Sequence, residues 1–117
     1  QAKAIYKSDF WDACRCGEIN DKNIAMQVFD MAVNHGTGGA GKLVQKAVNN
    51  LAGKEALVVD GAIGKMTIQA VNYLDAKKLN NNIVRYRARF YAQICAKNTS
   101  QVCFLEGWLN RCMGYIY

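Results

Sequence analysis

The sequence contains no proline, a single histidine and no long apolar run, and each shortage excludes a class of protein or site. No window approaches the roughly 18 consecutive apolar residues of a membrane-spanning helix. The N-terminus also lacks the charged and then apolar pattern of a signal peptide. His35 stands alone, and the single residue between Cys14 and Cys16 is too short a spacing for a zinc site. We therefore expect neither a metal nor a cofactor.

Acidic residues are also scarce, since nine Asp and Glu stand against fifteen Lys and Arg, for a formal net charge of +6. This balance favours anionic partners such as nucleic acid, acidic membrane surfaces or cell-wall polymers. The basic residues form no run of five or more, which is typical of a solvated surface and argues against nucleic acid. The five cysteines are expected to be mostly reduced and buried thiols, with one disulfide left open.

The residues from about 22 to 35 predict the helix around which the domain is built. Its apolar residues recur at helical spacing on one broad face, which consists of Ile24, Ala25, Val28, Phe29, Ala32 and Val33. Asp21 stands where an N-cap belongs, and Gly36 stands where a left-handed residue ends a helix. The polar residues align on one stripe, formed by Asn23, Gln27, Asp30 and Asn34. The stripe must face solvent, a hydrogen-bonded network or a cleft, and a solvated face is the simplest expectation.

Glycine clusters at 36–41, 53 and 61–64 separate the remaining elements. Helical spacing predicts further helices at about 1–14, 42–51, 67–74, 83–97 and 101–113, with residues 80–82 as caps before the fifth. Residues 56–61 are β-prone and end in Asp-Gly, which allows a short β-hairpin near residues 56–63 or an extended connector. We expect a mainly α, compact single-domain bundle of about five to six helices.

One motif lies between the third and fourth predicted helices. Residues 58–67 read V-V-D-G-A-I-G-K-M-T, and a Val-Gln pair at 44–45 precedes them on a helix. This arrangement resembles the D-G-x-[FI]-G-x-x-T signature of peptidoglycan-binding domains. Asp60 and Gly61 are expected to turn the chain, Gly64 to let backbones pass closely, and Thr67 to cap or open the next helix. The motif therefore predicts a fold more directly than a binding site.

Three further segments narrow the resemblance. They read A-I-Y-K-S-D-F-W at 4–11, F-D-M-A-V-N-H-G at 29–36 and G-W-L-N-R at 107–111. Together with the first motif, they resemble the C-terminal two-thirds of glycoside hydrolase family 108, in the same order along essentially the whole chain. That family contains lysozyme-like N-acetylmuramidases, including phage endolysins, and its C-terminal portion is described as a predicted peptidoglycan-binding domain.

The sequence departs from the family at its catalytic residue. The family carries a catalytic glutamate in a Glu-Gly-Gly motif upstream of the segment that matches 4–11, and this sequence contains no Glu-Gly-Gly. The Glu106-Gly107 pair belongs to the C-terminal motif instead. Asp30 and Asp60 are the carboxylates expected near a groove, and they fit a hydrogen-bond acceptor and a turn former better than a pair of catalytic groups. We assign no catalytic residue and do not expect the chain to be active alone.

The resemblance implies that residues 1–20 are the tail of a lysozyme-like catalytic region and that residues 21–117 form a peptidoglycan-binding helical domain. Sugar-binding grooves combine aromatic faces with amide and guanidinium groups. On that chemistry, the expected substrate-binding residues are Tyr6, Trp11, Asp30, Asn34, His35, Trp108, Asn110 and Arg111. Arg85 and Arg89 are additional candidates for pairing with Asp30 or with carboxylates of the peptide stem, although plain surface charge explains them equally well.

Three functions remain open at this point. The first is binding of bacterial cell-wall peptidoglycan as the C-terminal portion of a muramidase. The second is the muramidase itself, if a glutamate-bearing segment is supplied from upstream or by another chain. The third is a basic helical adaptor for protein or nucleic acid. The protein is expected to be made in the cytoplasm and to act at the bacterial cell wall.

Overall fold

The structure is a computed structural model, and it describes residues 10–97, 107, 109–110 and 113–116. Three helices dominate the described part of the chain: α1 (Lys22–Ala52), α2 (Lys65–Tyr73) and α3 (Ala76–Lys97). A 3₁₀ turn (Cys16–Glu18) precedes α1. The mainly α prediction is confirmed, and these residues include no strand. Fewer helices are present here than predicted, because the helices expected at 22–35 and 42–51 follow each other directly across a kink at Gly36 and form one element.

Gly36 is the joint between the two halves of α1. Its φ of 82° and ψ of 161° are not helical, yet the chain re-enters a helix immediately and continues to Ala52. Glycine adopts such a positive φ without the steric cost that a Cβ would impose. The predicted N-cap is confirmed, since Asp21 accepts a hydrogen bond from the Ile24 N–H at 2.9 Å. The end predicted for the 42–51 helix is also confirmed, since Gly53 is left-handed with a φ of 74°, whereas the helix predicted to end at Gly36 resumes directly after it. The predicted first helix lies largely outside the described residues.

The segment 56–63 does not form the short β-hairpin that its β-prone residues allowed. Asn49 of α1 bonds both backbone groups of Leu57, since its Nδ2 donates to the carbonyl and its Oδ1 accepts from the N–H, each at 2.8 Å. A strand partner would use those same two groups. The segment therefore follows α1 as an irregular connector, with Leu57 buried in the core.

Gln45 of α1 organises the predicted motif that follows this connector. Its Nε2 donates to Asp60 Oδ1, to the Ala62 carbonyl and to Thr67 Oγ1 at 3.0, 3.0 and 3.2 Å, and its Oε1 accepts from the Gly61 N–H at 2.9 Å. Asp60 also accepts from the Ala62 N–H at 2.9 Å, which is the turn expected of Asp-Gly. These donors hold the pKa of the Asp60 carboxyl below its ordinary value. The motif thus links α1 to α2 through the hydrogen bonds of Gln45.

Two of the roles expected within this motif are wrong. The close backbone passage is not at Gly64, where an added Cβ would meet nothing within 4 Å, but between Gly41 and Gly61. A Cβ on Gly41 would lie 2.0 Å from the Gly61 carbonyl oxygen. Thr67 does not cap α2, because the helix begins two residues earlier and the buried Thr67 hydroxyl accepts from Gln45 instead. Sequence proximity to a helix start was not enough to identify the hydrogen-bond partner.

The core lies where α1 packs against α3, with α2 beside them. Both halves of α1 contribute fully buried side chains, including Val28, Met31 and Val48, and α3 contributes Leu79 and Ile83. The start of α3 differs from the prediction, since Asp75 accepts from the Lys78 N–H at 2.9 Å and residues 80–82 lie inside the helix. The polar residues expected to be caps are therefore carried into the helix contact, where Asn80 and Asn82 are buried.

Before α1, residues 10–21 cover one end of the core. Arg15 is left-handed, with a φ of 54°, and its guanidinium pairs with Glu18. Cys14 and Cys16 are free and buried, and burial raises the pKa of their thiols to about 11 and about 12. Both are therefore protonated thiols at neutral pH, as expected. Cys95 is also buried, whereas Cys103 and Cys112 lie outside the described residues.

Candidate ligand-binding groove between the two long helices

Three of the four polar stripe residues of α1, Asn23, Gln27 and Asp30, contact α3, so the expectation of a solvated face is wrong for them, whereas Asn34 is exposed. We call this contact the polar seam, and it consists of Asn23, Gln27, Asp30, Asn80, Arg87 and Tyr91. The Asn80 Oδ1 accepts from both Asn23 Nδ2 and Gln27 Nε2 at 3.0 Å. Among the described residues, no buried side-chain nitrogen or oxygen lacks a hydrogen-bond partner. The side chains of Asn23, Gln27 and Asp30 therefore find hydrogen-bond partners in a network of protein groups.

Arg87 is the centre of the polar seam and has no exposed side-chain surface. Its Nη2 donates to Asp30 Oδ2 at 2.7 Å and to the Tyr91 hydroxyl at 2.9 Å, and its Nη1 lies 3.4 Å from Gln27 Oε1. The partner of Asp30 is thus Arg87, and not Arg85 or Arg89 as the sequence suggested. Because Asp30 offsets the buried guanidinium, the polar seam is closed and electrically balanced.

His35 of α1 lies at the end of the polar seam and contacts Tyr91 and Phe90 of α3. Its Nε2 lies 3.2 Å from the Tyr91 hydroxyl, and its ring meets Phe90 edge to face at a centroid distance of 4.8 Å. Burial lowers the pKa of His35 from its ordinary value of 6.5 to about 4, and the nearby Arg87 charge adds to that shift. Because Arg87 can only donate to the Tyr91 oxygen, the hydroxyl hydrogen is available to a neutral His35 Nε2. His35 therefore has an orienting partner, which the sequence did not reveal.

Beyond His35, the second half of α1 and α3 border an open groove of about 470 Å³, which we call the basic groove. Its wall on α1 consists of Gly39, Lys42, Leu43 and Lys46. Its wall on α3 consists of Tyr86, Arg89, Phe90 and Gln93. Lys42 and Lys46 are four residues apart and so project from one face of α1, while the α3 residues recur at helical spacing. The volume lies within the usual range for small-ligand clefts, about 300–1,000 Å³.

Electrostatically, the basic groove is the opposite of the polar seam. Its lining carries three cations, Lys42, Lys46 and Arg89, and no acidic residue. Within the described part of the chain, the ion pairs are those of Arg15 with Glu18 and Arg87 with Asp30, so none involves these three cations. Sequence reasoning missed the lysines, although their spacing of four residues was a usable signal. It did not indicate which cations would face each other across a groove.

The structure brings only some of the predicted site residues together. Asp30 and His35 are linked through Arg87 and Tyr91, whereas Asn34 is exposed on the same helix. Trp11 is half-buried and meets Phe29 edge to face at 5.6 Å, beside an apolar cavity of about 370 Å³.

At the C-terminus, Asn110 is exposed next to Leu109, which packs on Val84 and Tyr91. Tyr6, Trp108 and Arg111 are predicted binding residues that lie outside the described residues. Of the predicted binding residues that the structure describes, Trp11, Asp30, Asn34, His35 and Asn110 are not among those lining the basic groove, whereas the additional candidate Arg89 is. Their roles in binding stay predictions.

Two further features of the described residues bear on function. Among them, no group of three or more His, Cys, Asp or Glu side chains is placed to hold a metal ion. No helix in this part of the chain combines the length and the apolar character needed to cross a membrane.

Comparison with known proteins places these features in a family. Residues 40–113, which include the α1 wall of the basic groove from position 40 onward and all of its α3 wall, match the family described as Predicted Peptidoglycan domain. Residues 1–36 match the family described as Glycosyl hydrolase 108. Searching curated proteins found no match.

Among solved structures, the chain is similar to SagA of Brucella abortus, with a TM-score of 0.77 and 24% identity. The match covers 97% of this chain and 59% of that one, so the chain spans less than two thirds of the SagA structure. At this identity the likeness establishes the shared fold. The predicted resemblance is confirmed: the chain belongs to the Predicted Peptidoglycan domain family, preceded by a segment of the glycoside hydrolase 108 type.

Proposed function

We propose that this chain binds bacterial cell-wall peptidoglycan as the C-terminal portion of a muramidase and that the basic groove is its principal contact. The observation that carries this proposal is the groove itself. It lies almost entirely within residues 40–113, and it combines three exposed cations with two aromatic rings and an amide. Peptidoglycan offers complementary groups: carboxylates for the cations, and hydroxyls and acetamides for hydrogen bonds.

In this proposal, the residues predicted from the sequence extend the contact beyond the basic groove. Trp11, Asn110, Trp108 and Arg111 have the side chains that sugar rings and their hydroxyls recognise. The division into a catalytic-region tail at 1–20 and a binding domain at 21–117 belongs to the same proposal. Cleavage of the glycan would then require a general acid other than these binding residues.

Co-sedimentation with purified sacculi free of teichoic acid tests the proposal. The chain should sediment with the sacculi in a saturable manner, and added salt should weaken the association because exposed charges are screened. A chain that stays in the supernatant at every protein concentration would refute peptidoglycan binding. Turbidity of the same suspension separates this proposal from the muramidase alternative, in which a glutamate-bearing segment is supplied from upstream or by another chain. A chain that only binds should leave the turbidity unchanged, whereas clearing of the suspension would indicate an active muramidase.

Replacement of Trp108 separates a binding role from a structural one. Trp108→Ala should reduce the amount of sedimented chain while leaving the thermal unfolding midpoint within a few degrees of the unmodified chain. Loss of one sugar-stacking ring commonly weakens binding by about 1 kcal/mol or more. If the variant merely melts earlier and its folded fraction binds as before, Trp108 is a core residue and the predicted contact is wrong.

A further inference from the structure

We infer that the basic groove selects the ionised carboxylates of the peptidoglycan peptide stem rather than the uncharged sugars of the glycan strand. This inference rests on the proposed function, and it names the part of the polymer that the groove recognises. The sequence left sugar and stem recognition open. Three features of the groove favour the stem.

The first feature is charge without an acidic neighbour. Lys42, Lys46 and Arg89 line one cleft, and none of them forms an ion pair within the described part of the chain. Confining three positive charges to about 470 Å³ raises the local potential, which attracts an anion and gives little advantage to a neutral ligand. A ligand that brings carboxylates offsets this repulsion, whereas a neutral sugar leaves it in place.

The second feature is the state of the two rings. The Arg89 guanidinium lies over the Tyr86 ring, 5.7 Å from its centroid, so one face of the Tyr86 ring already has a partner. Phe90 is engaged by the ring of His35 at 4.8 Å and by Tyr91 at 6.1 Å. Sugar stacking requires an open aromatic face, and here the rings instead hold the cationic side chain and the groove floor in place.

The third feature is the arrangement of the cations on opposite walls. Lys42 and Lys46 lie one helical turn apart on α1, and Arg89 stands on α3 across the groove. Their side chains can therefore meet an extended ligand that carries more than one carboxylate along its length. Arg89 offers a planar fork suited to a carboxylate, and the lysines act as point charges. Gln93 can satisfy a peptide amide beside them.

The test keeps the sugar constant and changes only the charge. Isothermal titration would compare a soluble disaccharide-peptide whose stem carboxylates are free with the same compound after conversion of those carboxylates to carboxamides. We expect each lost carboxylate that contacts the groove to weaken binding about tenfold, as for a charge-assisted hydrogen bond. Equal affinity for the two compounds would overturn the inference.

Two charge-matched variants assign the effect to the groove. The first carries Lys42→Gln, Lys46→Gln and Arg89→Gln, and it should bind the acid and amide compounds with nearly equal, weak affinity. The second is a control that removes the same amount of charge at exposed sites outside the groove lining. If the groove variant retained the acid preference, the carboxylates would be recognised elsewhere and the inference would fail.

The control variant carries Lys54→Gln, Lys77→Gln and Lys78→Gln, which are exposed positions at the end of α1 and the start of α3. Both variants lower the formal net charge from +6 by three, so a general effect of charge would alter them alike. We expect the control to keep the acid preference. Loss of that preference in the control as well would attribute it to overall charge and contradict a groove-specific site.

Two competitors distinguish this inference from its rivals and from failure of the proposed function. Neutral N-acetylglucosamine oligomers should not displace the acid compound, and displacement would indicate sugar recognition in the groove. A single-stranded oligonucleotide that binds more tightly than the acid compound would indicate a nucleic-acid adaptor. If the chain sediments with sacculi but ignores carboxylates, only this inference fails; if it ignores sacculi, the proposed function fails.

Discussion

The polar seam and the basic groove lie between the same two helices, yet they treat charge in opposite ways. In the seam, the single buried cation, Arg87, is 2.7 Å from Asp30, and its remaining donors reach Tyr91 and Gln27. In the groove, Lys42 and the other cations stand exposed with no carboxylate on either wall. His35 contacts both regions, through Tyr91 on one side and Phe90 on the other.

This difference separates a structural polar cluster from a candidate site. A buried charge must be compensated within the protein, because its desolvation is otherwise too costly. An exposed cluster of like charges is tolerated in water, but its mutual repulsion is relieved only by a ligand or counter-ion. Polar residues on a helix therefore indicate function when they lack compensation, and not simply when they align. Asp30 illustrates this, since alignment suggested a site and its partner indicates a scaffold.

The largest expected effect comes from breaking the polar seam. Arg87→Met should lower the free energy of unfolding by about 3–5 kcal/mol, because it removes the ion pair with Asp30 and the donors to Tyr91 and Gln27. Urea unfolding followed by circular dichroism measures this loss. Arg85→Met is the matched control, since Arg85 is exposed two residues earlier on the same helix. Equal losses in the two variants would mean that the buried pair has no special role.

A smaller loss of stability is expected at Gln45, which is buried and makes several hydrogen bonds but carries no charge. Gln45→Met preserves side-chain length but removes the bonds to Asp60, Gly61 and Thr67, and it should cost about 2–3 kcal/mol. Gln69→Met is the control, because Gln69 is exposed on α2. A cost for Gln45→Met as large as that of Arg87→Met would remove the distinction between charged and neutral polar clusters. Urea unfolding of both pairs decides this.

Local signals predicted the helical class, the N-cap at Asp21, the interruption at Gly36 and the helix end at Gly53. Asp21, Gly36 and Gly53 each determine backbone geometry through their own side chain or its absence, so their positions in the sequence were sufficient. The mainly α class and the family followed from helical spacing and from ordered motifs. Such features depend on residues close in the chain, and for that reason one sequence can reveal them.

Partners across the fold could not be predicted in the same way. Nothing near Asp30 in the chain indicates that Arg87, 57 residues later, will reach it in preference to Arg85 or Arg89. The choice depends on the rotation of α3, which is fixed when Leu79 and Ile83 enter the core. The basic groove escaped prediction for the same reason, since it forms only where residues 39–46 of α1 face residues 86–93 of α3.

His35 should make the free energy of unfolding depend on pH. Its pKa falls from 6.5 to about 4 on folding, so below pH 6.5 the unfolded chain takes up a proton that the folded chain refuses. Stability is therefore full above about pH 6.5 and declines towards pH 4, by about 1 kcal/mol at pH 5.5. His35→Gln should flatten this decline in urea unfolding at pH 7.5 and 5.5. An unchanged slope would mean that groups other than His35 cause the pH dependence.

The smallest effect on stability should come from the basic groove, and this result would complete the contrast. Lys46→Gln removes an exposed charge that faces like charges from Lys42 and Arg89. It should therefore change the free energy of unfolding by no more than about 0.5 kcal/mol, and relief of the charge repulsion favours a slight gain in stability. Sedimentation with sacculi should nevertheless fall. If Lys46→Gln destabilised the fold as Arg87→Met is expected to do, the groove cations would be part of the scaffold. Their lack of an acidic partner would then no longer point to a ligand.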